Sequence, residues 1–205
     1  MKKLLVTLAI TGIAMGAFAQ GTVGGVQYQN TGGVGSERYV FGVDSAAPTS
    51  NVLGGTRDKV GAGYSAQLYY GAVGASEADL KAIDASLTTF KTGGLAGLIN
   101  GNSKLTIPGT LGGAKVVLQL RVWDSTVASW ADVLRPENNN KARGMSGLVS
   151  GYELSGVDAQ NAPHIGSGNL AKNGLTSFGL YIVPEPSVIA LGALGLGALV
   201  LRRRK

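Results

Sequence analysis

Period-two alternation of apolar and polar residues is the clearest pattern along the middle of the chain. In the run 115–123, apolar residues occupy every second position: Val116, Leu118, Leu120 and Val122. The polar residues at the intervening positions are Lys115, Gln119 and Arg121. Because successive side chains of a strand point to opposite faces, this run predicts a strand whose apolar set lies in the core.

Shorter runs elsewhere repeat the alternation. Residues 66–70 and 178–182 alternate in the same way, and 22–29, 38–43, 87–91 and 147–154 are weaker strand candidates. We predict that 115–123 and 178–182 are two central strands. Their predicted core residues are Val116, Leu118, Leu120, Val122, Phe178, Leu180 and Ile182.

Turn and helix signals fill the spaces between these runs. Asn100-Gly101-Asn102 is turn chemistry typical of a hairpin, here between strands over 95–99 and 104–107. The sequence Ser76-Glu77-Ala78-Asp79 predicts the start of a short helix through Ala85. A second helix of a turn or two is predicted within 127–134.

The spacing of these elements predicts the fold class. Eight or nine short strands, separated by long connections over 45–63, 135–143 and 158–173, indicate an all-β, antiparallel β-sandwich with a jelly-roll-like arrangement. The predicted domain, residues 20–182, holds 28 of the 33 glycines, which suits many tight turns. The chain has no cysteine, so the domain folds without disulfides and has no thiolate chemistry.

The first nineteen residues have the three parts of a secretory signal peptide. Lys2 and Lys3 precede an apolar run over 4–15. Ala17 and Ala19 are then the small residues that signal peptidase requires, which predicts cleavage before Gln20. A run of twelve apolar residues is too short to cross ~30 Å of hydrocarbon, which argues against a permanent membrane helix.

The C-terminus carries a second apolar run, over 188–201, followed at once by Arg202, Arg203, Arg204 and Lys205. The run spans only ~21 Å as a helix, and the basic tail is expected to stay on the cytoplasmic side. We therefore predict a membrane segment that anchors the chain transiently. A buried core helix is the alternative, against which the terminal cations argue.

Most of the net charge of +6 comes from these two ends. They hold six of the eighteen Lys and Arg residues, and residues 20–182 carry twelve cations against eleven acids. The basic character therefore belongs to the targeting segments. The domain lacks the excess of positive charge that is typical of nucleic-acid-binding proteins.

The tail as a whole resembles a PEP-CTERM sorting signal. The match is Val183-Pro184-Glu185-Pro186-Ser187, then the apolar run and the basic cluster, so the signal covers 183–205. The resemblance implies that an exosortase-type membrane protease cuts near Pro184–Glu185–Pro186 and releases the domain to the cell surface or extracellular matrix. The same tail is sometimes labelled as the C-terminus of ice-binding proteins.

The body resembles small, Gly-rich bacterial PEP-CTERM proteins in four short stretches. These are Gly21-Thr22-Val23, 66–71 (AQLYYG), 121–124 (RVWD) and 175–178 (LTSF). This resemblance implies a location, and it implies no activity.

Few residues offer chemistry. The chain has one histidine, His164, and no Gly-x-Ser-x-Gly motif that would hold a nucleophilic serine. We therefore expect no catalytic triad and no enzyme activity. The dispersed acids and lone imidazole predict no transition-metal site and no cofactor. Calcium held partly by loop carbonyls stays open, because such ligands leave no sequence signature.

Aromatic residues are the remaining candidates for recognition. The candidates are Tyr69, Tyr70, Trp123, Trp130 and Tyr181, with Trp123 and Trp130 foremost if they lie outside. Two function classes follow. The first is a non-catalytic exported surface or matrix protein, whose partners are signal peptidase, an exosortase-type protease and, transiently, the inner membrane. The alternative is a carbohydrate-binding or polysaccharide-processing module that recognises extracellular polysaccharide.

Overall fold

The computed structural model describes residues 23–31, 37–43, 58–101, 105–157, 163–164 and 166–183, with the backbone alone for 23–25 and 163–164. The first strands are β1 (Val23–Val26), β2 (Val40–Phe41), β3 (Tyr64–Ala72), β4 (Lys81–Ala82), β5 (Thr88–Thr89) and β6 (Leu105–Leu111). The others are β7 (Lys115–Asp124), β8 (Arg143–Met145), β9 (Val149–Glu153), β10 (Gly156–Val157), β11 (Pro163–His164) and β12 (Phe178–Gly179). Helix α1 is Trp130–Val133, and 3-10 turns cover Glu77–Asp79, Asp84–Ser86, Gly93–Leu95, Pro136–Asn138 and Leu170–Lys172. The described part of the chain is therefore mostly β, as the sequence predicts.

Strand β7 is the centre of a six-stranded sheet. It pairs antiparallel with β3 in unbroken register, from Tyr64 opposite Asp124 to Ala72 opposite Val116. Strands β8 and β9 pair with the other edge of β7, and β4 and β5 pair with the other edge of β3. The alternation at 115–123 and 66–70 thus predicts the two longest strands correctly, and 115–123 is a central strand.

The predicted apolar face of β7 lies in the main core. Its four members, Val116, Leu118, Leu120 and Val122, are all buried there. The two-stranded sheets β1–β6 and β2–β12 contribute Val26, Leu105, Ile107, Val40 and Phe178 to the same cluster. The small sheets therefore pack on one face of the large sheet.

The opposite face of β7 is also covered, which the alternating pattern does not predict. Val117, Gln119, Arg121 and Trp123 are all buried on that side. Helix α1 packs there, because Trp130 and Val133 form a second apolar cluster with Trp123 and Val127. Ser129 starts the helix by accepting a hydrogen bond from the Asp132 backbone N–H.

The C-terminal segment closes the core but is not a central strand. Only Phe178–Gly179 forms a strand, and it pairs in parallel with Val40–Phe41, the one parallel strand pair among the described residues. Phe178 and Leu180 are buried as predicted. The prediction for Ile182 is wrong: its side chain is 37% exposed, because pairing ends at Tyr181, which bridges to Arg143.

Two local predictions are overturned by pairing between distant segments. The hairpin predicted around Asn100-Gly101-Asn102 is not seen among the described residues on either side of it: Ile99 bridges back to Phe90, and β6 pairs with β1. The predicted helix from Ser76 through Ala85 is two 3-10 turns separated by β4. Pairing of Lys81 with Tyr70 on β3 holds that segment extended.

The targeting predictions lie outside the described residues. These are the signal peptide with Ala17, Ala19 and Gln20, the motif residues Pro184, Glu185 and Pro186, the apolar run 188–201 and the tail Arg202 to Lys205. Val183, the first residue of the motif, is half-buried at the end of the described chain. Within the described ranges, no helix has the length and apolarity needed to span a membrane.

Candidate functional site

The two tryptophans lie in the interior. Trp123 is 1% exposed and Trp130 is 6% exposed, and their rings meet edge to face with centroids 6.3 Å apart. The Trp123 indole N–H donates to the backbone oxygen of Val127 at 2.9 Å. Stacking on a sugar needs an accessible ring face, so Trp123 and Trp130, which are candidates only if they lie outside, are excluded as ligand aromatics. They are buried because α1 covers this face of β7.

Arg121 is the centre of a hydrogen-bonded polar cluster on the face of β7 that α1 covers. Its guanidinium lies 4.1 Å from the ring centroid of Tyr69 and 5.5 Å from that of Trp130. It donates from Nε to Gln119 Oε1 at 2.9 Å and from Nη2 to the Glu77 backbone oxygen at 2.6 Å. Gln119 in turn donates to Glu77 Oε1 at 3.0 Å and to the Ser146 backbone oxygen at 3.1 Å.

This arrangement binds the 3-10 turn at Glu77 to the buried face of the sheet. Burial lowers the pKa of Arg121, and the neighbouring Tyr69 and Glu77 act in the opposite direction. Burial also raises the pKa of the Tyr69 hydroxyl, against the effect of Arg121. The polar groups of the cluster bond to one another and to the backbone, so the cluster stabilises the fold.

Arg143 is a second buried cation with a structural environment. Its Nη1 donates to the Val133 backbone oxygen at the end of α1, and Nη2 lies 3.4 Å from Asn139 Oδ1. Its Nε has no partner among the described residues. Positive charge near the last carbonyls of a helix is favourable, so Arg143 fastens α1 to β8.

The predicted histidine lies in the short strand β11. The His164 backbone pairs with Gly156 on β10. Within the described ranges, no three His, Asp or Glu side chains come together in a group able to hold a metal ion. The absence of an enzyme activity and the possibility of a carbonyl-ligated calcium both stay predictions.

A cleft opens at the end of the large sheet where β3 finishes and β7 begins. It has a volume of about 460 Å³ and is lined by residues 70–72 of β3, 109–111 of β6 and 114–116 around the start of β7. A smaller cleft of about 280 Å³ shares residues 70–72 and adds Ala75, Asp79 and Lys81. We call the two together the Tyr70 cleft.

Tyr70 lies between the apolar and the polar parts of this cleft. It is half-buried and packs against the main core. Its partner on β7 is the buried Leu118, and its partner on β4 is the exposed Lys81. Residues directly opposite in an antiparallel pair project to the same face, so Lys81 stands beside the Tyr70 ring.

A bulge in β6 shapes the wall facing Tyr70. Val23 is opposite Leu111, whereas Gly25 is opposite Thr106, so residues 107–110 face a single residue of β1. Gly109 has a φ of 75°, which a residue with a side chain adopts only with strain. Within the bulge, the Thr110 hydroxyl donates to the Ile107 backbone oxygen at 2.7 Å.

The turn that follows the bulge is fixed by backbone hydrogen bonds to the segment 154–157. The Gly112 N–H donates to the Val157 oxygen at 3.2 Å, and the Gly113 N–H donates to the Leu154 oxygen at 2.8 Å. A methyl group at Gly112 would lie 2.3 Å from the carbonyl carbon of Gly156, so only glycine fits. The cleft wall is therefore held in place by the fold.

Positive and negative side chains are interspersed around the cleft. Lys81 and Asp79 both line its smaller part. Lys115 lines the larger part and is the partner of Glu153 across the β7–β9 pair. Asp79 Oδ2 accepts hydrogen bonds from the Ser76 hydroxyl at 2.6 Å and from the Ser76 backbone N–H at 3.3 Å.

Comparison with known proteins finds no match to this chain among protein-family models, curated proteins or solved structures. The relationship to PEP-CTERM proteins accordingly stays a prediction.

Sequence reasoning names Tyr70 among five aromatic candidates but gives no reason to prefer it. Lys81 and Thr110 have no sequence signal of their own, because β4 and the bulge bring them to the cleft. The one sequence signal for the β6 bulge is Pro108-Gly109, since both residues interrupt a regular strand.

Proposed function

We propose that the chain is a non-catalytic protein that is exported to the cell surface or extracellular matrix and processed by an exosortase-type system. The observation that supports the non-catalytic part is the network around Arg121. There the Arg121 guanidinium, the Gln119 amide and the Glu77 carboxylate bond to one another and to backbone oxygens, so these polar groups are used within the fold. The targeting part of the proposal rests on the sequence of the two ends.

The proposed architecture is a sandwich in which the small sheets form one layer and the six-stranded sheet the other. The shared core between β1–β6, β2–β12 and the large sheet supports this arrangement. Jelly-roll connectivity is not part of the proposal, because β6 pairs only with β1 among the described strands and β12 pairs in parallel with β2.

Intact-mass measurement of material from producing cells tests the targeting part. We expect a chain that begins at Gln20 and lacks residues 188–205. Recovery of only the full-length chain, in the membrane fraction, would contradict the proposal.

A carbohydrate-binding module is the second candidate function, and the Tyr70 cleft favours it. The cleft combines a half-buried aromatic ring with an apolar floor and polar rim, which is the composition of many ligand sites. This candidate is compatible with the first, because a matrix protein that binds polysaccharide needs no catalytic group.

A further inference from the structure

We propose that the Tyr70 cleft binds an uncharged polysaccharide, with the ring of Tyr70 against one face of a pyranose unit. This inference rests on the second candidate function given above and names its ligand class.

The apolar part of the cleft fits the carbon face of a sugar ring. Tyr70 is kept half-buried by Leu118 and the main core, so its ring is held by the sheet while part of it stays accessible. Ala72 and Gly109 next to it are exposed and small, which leaves the space beside the ring open. A rigid aromatic side chain provides contact area at little cost in conformational entropy.

The polar rim fits hydroxyl groups. Lys81 provides N–H donors, and Asp79 provides a carboxylate oxygen, Oδ1, beyond the Oδ2 that accepts from Ser76. The Thr110 hydroxyl donates to Ile107 and keeps acceptor capacity towards the cleft. A ligand that is both donor and acceptor at many positions satisfies such a rim.

The charge balance favours an uncharged ligand over an anionic one. Lys81 shares its part of the cleft with Asp79, and Lys115 is directly opposite Glu153 across the β7–β9 pair. A polyanion that contacts the two ammonium groups would also meet the Asp79 carboxylate in the cleft, which reduces its net attraction. An uncharged polysaccharide uses the same groups as hydrogen-bond partners without that repulsion.

The size and continuity of the cleft favour a chain over a single sugar. The two parts, about 460 and 280 Å³, meet along residues 70–72. The larger part alone falls within the ~300–1,000 Å³ range of small-molecule sites. The β6 bulge and the Gly112 turn hold the far wall, so binding needs little reorganisation of the protein.

Affinity electrophoresis and titration calorimetry of the chain purified from producing cells test the proposal. The uncharged probes are a glucan, a mannan and a galactan, and the anionic probes are alginate and polygalacturonate. We expect binding to at least one uncharged probe, with a Kd that changes no more than about twofold between about 0.05 M and 0.5 M salt, because no net charge is neutralised. Binding confined to the anionic probes, with a steep loss in salt, would overturn the proposal.

Substitutions place the binding in the cleft. Tyr70→Ala should weaken binding about tenfold or more through loss of the stacked ring, and Tyr70→Phe should retain it. Lys81→Gln should change affinity no more than about threefold, because glutamine keeps an N–H donor. Tyr181→Ala is the matched control: Tyr181 is half-buried outside the cleft and should leave binding unchanged.

One further variant covers the case in which Tyr70→Ala does not fold. Ala72 is exposed at the end of β3, so Ala72→Gln fits the fold while its longer side chain enters the cleft, and binding should be lost. Unchanged binding by the folded Ala72→Gln and Tyr70→Ala variants would contradict this site. Absence of binding to every probe would overturn both this inference and the carbohydrate-binding candidate, whereas export is judged independently by the intact-mass measurement.

Discussion

The backbones of Arg143 and Tyr181 exchange two hydrogen bonds. The Arg143 N–H donates to the Tyr181 oxygen at 3.0 Å, and the Tyr181 N–H donates to the Arg143 oxygen at 2.8 Å. Just before this pair, the Leu180 N–H donates to the Phe41 oxygen at 3.0 Å. The segment that ends two residues before Val183 is thus bound to β8 on one side and to β2 on the other.

Leu180→Ala should be strongly destabilising, and Ile182→Ala should not. Leu180 is 1% exposed in the main core, so truncation leaves a cavity and lowers the free energy of unfolding by about 2–5 kcal/mol. Ile182 is much more accessible and lies beyond the Arg143–Tyr181 pair, so the change should stay below about 1 kcal/mol. Urea denaturation of both variants measures the difference, and equal effects would place the end of the core elsewhere.

Removing the hydroxyl group from each of two buried tyrosines should have different effects on the free energy of unfolding. The Tyr152 hydroxyl accepts from the Gln27 N–H at 3.2 Å and donates to the Gly168 oxygen. Tyr152→Phe leaves those groups unpaired and should cost about 1–3 kcal/mol of unfolding free energy.

The Tyr28 hydroxyl is the matched control, because it has no partner among the described residues and its pKa is raised by burial. Tyr28→Phe removes an uncompensated buried polar group, so it should be neutral or stabilising. Thermal and urea denaturation of the two variants give the comparison. A loss of stability in Tyr28→Phe as large as that in Tyr152→Phe would show that the Tyr28 hydroxyl is bonded.

Gly112→Ala should distort the wall of the Tyr70 cleft. The added methyl group would meet the backbone of Gly156 and Val157, which cannot move as a side chain can. We expect a loss of about 1–3 kcal/mol in unfolding free energy, together with weaker binding of uncharged polysaccharide. Gly147→Ala is the control: it has open space at its Cβ and should be neutral or more stable by up to about 1 kcal/mol. If both variants change the free energy of unfolding equally, the close approach of the backbone at Gly112 does not require glycine there.

Replacement of Arg202, Arg203, Arg204 and Lys205 by serine should impair processing without changing the fold. The apolar run of fourteen residues is short for a membrane anchor. Without the orienting positive charge it should therefore pass through the membrane or fail to insert. Cell fractionation with intact-mass analysis should then find uncleaved protein outside the membrane. Normal cleavage and release of this variant, in cells that process the wild-type chain, would contradict the anchor model.

Local pattern predicts this fold best where a strand is long and central. The alternation at 115–123 finds β7 and its core face because one side of the strand packs against a continuous apolar cluster. It fails for the other face, since α1 and the Arg121 network bury Gln119 and Trp123 there. A polar residue in the pattern therefore means exposure only when nothing packs over it.

The candidate site is less predictable than the core because distant segments build it. Tyr70, Lys81 and Thr110 come from three strands, and their proximity follows from register and from the β6 bulge. The pairing of the described segments on either side of the predicted 100–102 turn has the same cause. The turn chemistry is suitable, but β6 finds its partner in β1, far away in the sequence.

The parallel pairing of β2 with β12 has a consequence for how the chain folds. The Tyr39 N–H donates to the Ser177 hydroxyl, 138 residues away, beside a strand pair that joins the beginning of the domain to its end. A core closed by its last residues cannot be completed while those residues are still being synthesised or threaded through a pore. Such non-local closure slows folding to about milliseconds to seconds. The sequence order of the strands thus keeps the nascent chain open until nearly all of it is available, which suits the export proposed above.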